Sequence, residues 1–131
     1  MSYLAKGTFE VKLQPLSFEE ADPQWKLGRM SIDKQISGDL IATTKGQMIS
    51  AMTDTKGSAG YVAIERVTGT LHGKKGAFAL QHNGLMDRGT PTLSVVVVPD
   101  SGTEELIGLE GEFKIMIEGN RHSYEFNYRL R

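Results

Sequence analysis

Cysteine is absent from this 131-residue chain, which excludes disulfides and thiolate metal sites. Proline is scarce, at four residues, and neither charge sign is in surplus: fifteen Lys and Arg stand against sixteen Asp and Glu. With no basic excess and no charged tail, nucleic acid is not an expected partner. Long apolar runs are missing too. The longest aliphatic stretch, Val95–Val98, is far too short to span a bilayer. The opening MSYLAKGTFEV lacks a basic segment followed by an apolar one, the mark of a secretory leader. The expectation is a soluble cytoplasmic protein with no membrane partner. The three histidines, His72, His82 and His122, show no paired ligand spacing, and there is no phosphate loop, dinucleotide fingerprint or nucleophile elbow. No metal and no cofactor is therefore expected.

What is present is alternation of period two. GTFEVKL sets Phe9, Val11 and Leu13 on one face, and MSIDKQI sets Met30, Ile32, Lys34 and Ile36 on one face. GDLIATT and QMISAM flank TKGQ, which predicts a hairpin over 38–52. YVAIERVTGTL and AFALQH flank HGKKG as a second hairpin, and EFKIMI and HSYEFNYRL flank EGNR as a third. TLSVVVV is a strand apolar on both faces. The segments 15–25 and 83–91 read as loops, the first with room for one helical turn. About eight strands with short connections favour a closed barrel or a sandwich. Without repeats or linkers, the chain is one domain, 1–131.

Glu65 and Arg66 sit side by side in the strand GYVAIERVTG, so one of them faces the interior. An even-length turn centred on Lys74–Lys75 places Tyr61, Ala63, Glu65, Val67, Leu71, Phe78, Leu80 and His82 on one face. That face carries the large aromatics and is the expected interior, with Arg66 outside. An odd, bulged loop reverses the assignment. An inward Glu65 has three outcomes: it pairs with His82 or Lys34, it stays protonated, or it stands in a water-filled cavity that binds something. Lys34 is expected to reach solvent by snorkelling.

In PDSGTEELIGLEG, Ser101 and Glu104 match a capping box, and TEEL suits one helical turn closed by Gly108. This reads as a tight structural corner. The outer face of the Val95–Val98 run needs a cover from a helix, the 15–25 segment or another subunit, and homo-oligomerisation through it is one expectation.

The stretches YVAIERVTGTLHGKKGAFALQHNG, VVPDSGTEELIGLEGEFKI and HSYEFNYRL resemble a bacterial family known only as a domain of unknown function. That family is grouped with the allene oxide cyclase-like barrels. Ser101, Gly102, Thr103, Leu106, Gly108 and Gly111 are similar to a glycine-rich corner of allene oxide cyclases and dirigent proteins. Glu104 stands where that pattern has a further glycine. The resemblance covers most of the chain and implies an all-β, closed eight-stranded antiparallel β-barrel with a central cavity, often in oligomers. It does not carry a reaction over to this chain.

Two functions follow as expectations. The first is a binding module that holds a small, mostly apolar ligand, with Trp25, Tyr61, Glu65, His82 and Tyr124 lining the cavity mouth. The second is an isomerase or cyclase in which Glu65 is the acid/base and His82 tunes it. A filled barrel acting through its surface as an oligomer is the third reading.

Overall fold

The structure is a computed structural model that describes residues 1–19 and 22–131. Eight strands follow one another along the chain: β1 (Tyr3–Leu16), β2 (Leu27–Gly38), β3 (Leu40–Met52), β4 (Ala59–Leu71), β5 (Lys74–Asp87), β6 (Thr90–Val97), β7 (Leu109–Glu118) and β8 (Arg121–Leu130). Each pairs antiparallel with the next, and β8 pairs with β1 to close a barrel. The alternation becomes an inside and an outside. Lumen positions such as Phe9, Ile36, Val67, Phe78, Val95, Phe113 and Phe126 are buried, while their sequence neighbours face outward.

Tight turns set the registers. His72 (φ 47°) and Gly73 (φ 80°) form a two-residue turn, as do Arg88 (φ 47°) and Gly89 (φ 91°). A twist-matched hairpin needs left-handed backbone at its centre. Gly73 supplies it, so the turn centres on His72–Gly73 and not on Lys74–Lys75. Val67 accordingly faces Phe78 and Ala63 faces His82. The loop is still of even length, so Glu65 points inward and Arg66 outward as expected.

One expected turn and one expected loop are strand instead. The stretch 44–47 is no turn: β3 runs unbroken through it. Gly46 is there because it lies across from Glu65, where an added Cβ would come within 2.6 Å of the Glu65 Cα. A glycine inside a strand thus marks close backbone approach rather than a bend. The 83–91 loop is likewise mostly strand, since β5 continues to Asp87 and turns at Arg88–Gly89. The expected turn within 15–25 is the 3₁₀ turn Pro23–Trp25; residues 20–21 of that segment lie outside the described residues.

One end of the barrel is filled. Leu40, Leu71, Leu109 and Tyr128 pack there with Leu106, which comes from the 3₁₀ turn Glu104–Leu106. The capping box does not form: Thr103 precedes the turn without a side-chain cap. Ser101 Oγ accepts instead from the Ala79 N–H, and Thr103 Oγ1 from the Ala77 N–H. The two hydroxyls thereby satisfy β5 amides beyond the end of its pairing with β6. Glu104 adopts φ 53°, in the left-handed region that favours glycine.

Candidate functional site

Four adjacent strands bring Lys34 (β2), Thr44 (β3), Glu65 (β4) and His82 (β5) together at mid-height in the lumen. All four are buried, and Glu65 is 0% exposed. The Lys34 Nζ donates to Glu65 Oε1 at 2.9 Å, His82 Nε2 approaches the same oxygen at 3.0 Å, and the Thr44 hydroxyl donates to Oε2 at 3.0 Å. Lys34 does not snorkel to solvent; the Glu65 carboxylate two strands along the same wall holds its ammonium, which also lies 4.8 Å from the centre of the Phe9 ring. No buried side-chain nitrogen or oxygen among the described residues lacks a partner, which is the condition for keeping charges in such a place.

Burial by itself would raise the Glu65 pKa. The hydrogen bond from His82, with the charge and hydrogen bond of Lys34, outweighs it and holds the carboxyl at about 2. An ionised carboxylate only accepts hydrogen bonds, so His82 must carry its proton on Nε2. Its Nδ1 faces the Tyr61 hydroxyl at 3.2 Å and accepts from it when the ring carries the Nε2 proton alone. The Tyr61 ring is set by Gly84, where an added Cβ would lie 2.8 Å from ring carbon Cδ1. Burial first, and the Glu65 charge second, raise the Tyr61 pKa, so the phenol keeps its proton.

Above this cluster the lumen changes character. Met30, Met48, Tyr61 and Ile115 occupy inward positions by register yet are only half-buried. Farther along, inward Leu13 and Leu93 are each 45% exposed and Ile117 is 64% exposed. These three lie at the end of the barrel away from Leu106; at the other end Tyr3, also inward by register, is 45% exposed. Apolar side chains thus stand partly exposed above a charged, hydrogen-bonded floor.

The five residues expected at the cavity mouth separate. Tyr61, Glu65 and His82 come together. Tyr124 does not line the mouth. It is buried in the filled half, where its hydroxyl accepts from the Leu40 N–H at 3.1 Å and donates to the Ser37 carbonyl at 2.8 Å. It is a strut for the β2–β3 turn. Trp25 lies on the β1–β2 connection at the open end, 62% exposed, and takes no part in the cluster. Thr44 escaped sequence reasoning because the misread turn hid its inward position.

Outside the barrel, a cleft of about 790 Å³ lies where β1 leaves β8, lined by Glu10, Gln35, Glu118, Arg121 and His122 among others. The exposed apolar residues of the wall gather on β3–β5, at Ile49, Val62, Ile64 and Leu85, whereas within Val95–Val98 Val96 alone is exposed. Among the described residues, no group of three or more His, Asp and Glu is placed to hold a metal ion, and no helix is long and apolar enough to cross a membrane.

A family profile described as "Protein of unknown function (DUF3224)" matches residues 5–128. The crystal structure of a protein of unknown function from the same family, from Shewanella oneidensis MR-1, is similar at 45% sequence identity and a TM-score of 0.94. The similarity covers 100% of this chain and 99% of that one. No protein with a curated description matches.

Proposed function

The chain belongs to the DUF3224 family, and we propose that it binds a small, mostly apolar molecule in the open half of its barrel. The observation that carries this reading is the exposure of inward-facing Leu13, Leu93 and Ile117 above a floor whose polar groups are already satisfied. Water in such a cup touches mainly hydrocarbon, and an apolar ligand would release it. The resemblance to allene oxide cyclase-like barrels agrees with a ligand-holding lumen as an analogy of fold only. Outward charges such as Lys12, Lys45 and Arg66 suit an outer wall that faces water, in keeping with a cytoplasmic protein.

An acid/base role for Glu65 has less support. Both its oxygens are taken, and at a pKa of about 2 it is a poor proton acceptor near neutral pH. The test of the binding reading is a fluorescence titration with the neutral probe N-phenyl-1-naphthylamine. Saturable binding that Met48→Glu abolishes, in a variant that still melts cooperatively, is the expected result. Absence of saturable binding, or binding indifferent to Met48→Glu, overturns it.

Association of copies is a separate proposal, and the apolar β3–β5 wall supports it better than the β6 run. Sedimentation equilibrium showing a monomer at high micromolar concentration would remove it.

A further inference from the structure

We propose that Tyr61 is the polar anchor of the cup, and that it selects an apolar ligand carrying a hydrogen-bond donor, such as a hydroxyl. The inference rests on the binding reading above and adds the chemistry of the head group.

The argument follows the protons. Glu65 is an ionised carboxylate and can only accept. It therefore fixes the proton of His82 on Nε2, 3.0 Å from Oε1. Lys34 and Thr44 reinforce this by holding the carboxylate in place from two other strands. When the His82 ring carries that proton alone, its Nδ1 is an acceptor, and the Tyr61 O–H, 3.2 Å away, is committed to it. A phenol whose proton is spent in this way presents only lone pairs to its remaining surroundings. Tyr61 is half-buried, and of the polar groups in the cluster it is the one that is not fully enclosed. Its ring lies over Gly84, which leaves it room, and its centre is 6.0 Å from that of the imidazole.

The cup thus shows a ligand hydrocarbon walls from Met30, Met48, Leu93 and Ile115 and, beside the Ser50 hydroxyl that shares its face, the Tyr61 acceptor aimed by His82. A ligand that brings a donor completes the chain ligand O–H to Tyr61, Tyr61 O–H to His82, His82 N–H to Glu65. A ligand of the same shape without a donor leaves the phenol oxygen dehydrated and unpaired, which is the asymmetry that makes polar recognition selective.

The experiment compares 2-naphthol with 2-methoxynaphthalene, which share a ring system and differ in the donor. Calorimetric or fluorescence titration of the wild-type chain should show 2-naphthol binding about tenfold tighter, the worth of one hydrogen bond. Tyr61→Phe should erase the preference and leave 2-methoxynaphthalene binding within about twofold of wild type. Equal binding of the two probes by wild type, or a preference that survives in Tyr61→Phe, overturns the anchor while leaving the cup intact. Binding of neither probe overturns the cup and the anchor with it. The wild-type comparison decides the matter even if the variant fails to fold.

Discussion

Lys34 and Glu65 form an ion pair at 2.9 Å in the interior of the barrel, with their side chains 5% and 0% exposed. They lie 31 residues apart in the chain and on strands separated by β3. Removing either partner strands the other charge. Glu65→Gln should therefore destabilise the protein by about 3–5 kcal/mol, read as a lower urea midpoint. Pairing it with Lys34→Met should recover a large part of the loss, because the stranded ammonium goes as well. A double variant no more stable than Glu65→Gln would show that the pair is not the source of the cost.

The same carboxylate sets a pH dependence. Its pKa falls from 4.5 in the unfolded reference to about 2 in the fold. A depressed carboxyl contributes stability above its unfolded value and loses it as pH falls through its folded one. The contribution, about 3 kcal/mol from a shift of this size, should be complete above pH 4.5 and decline toward pH 2. Denaturant midpoints measured across this window should fall more steeply for wild type than for Glu65→Gln.

Gly46 and Glu65 face each other with no room for a methyl group between them. Gly46→Ala should cost about 3 kcal/mol, at the upper end of overpacking penalties, because the obstacle is backbone and Cβ rather than a movable side-chain tip. The variant should also loosen the hydrogen bonds of Thr44 and Lys34 to Glu65. Slower exchange-broadened or shifted His82 ring signals in NMR spectra would register that change; a variant as stable as wild type would contradict it.

Glu104 holds a left-handed backbone at φ 53°, in an exposed position. Glu104→Gly relieves a non-glycine residue of that conformation at the cost of a more flexible unfolded chain. The balance should favour the variant by about 0.5–1 kcal/mol, seen as a higher melting temperature. A lower one would mean that the Glu104 side chain contributes more than its backbone costs.

How far the sequence could be read depended on whether a signal was local. The alternation in YVAIERVTGTL and the even turn after it were enough to send Glu65 inward and to put His82 on its face. The central residues of that turn were misplaced because HGKKG offers two glycines, and backbone handedness at His72–Gly73 decides between them. TKGQ looked like a turn since a strand glycine and a turn glycine are the same letter. The difference lies in what Gly46 approaches across the sheet, which is three-dimensional information. Lys34 found its partner two strands away, beyond any local pattern. Tyr124 was known to face inward, but an inward aromatic can serve the mouth or the plug. Only the positions of Ser37 and Leu40 settle which. Which inward positions stay exposed left no trace in the periodicity, because exposed and buried inward residues alternate alike.

The seam between Tyr3–Phe9 and His122–Tyr128 has a kinetic consequence. Every other pairing joins consecutive strands and can form as a hairpin grows. This one joins the two ends of the chain, so its loop-closure entropy falls due last and over the longest span. During synthesis the meander can zip up strand by strand, but the cylinder waits for β8 to leave the ribosome. Until then β1 and the growing end both carry unpaired backbone, the interval in which a neighbouring nascent chain could take the place of the missing strand.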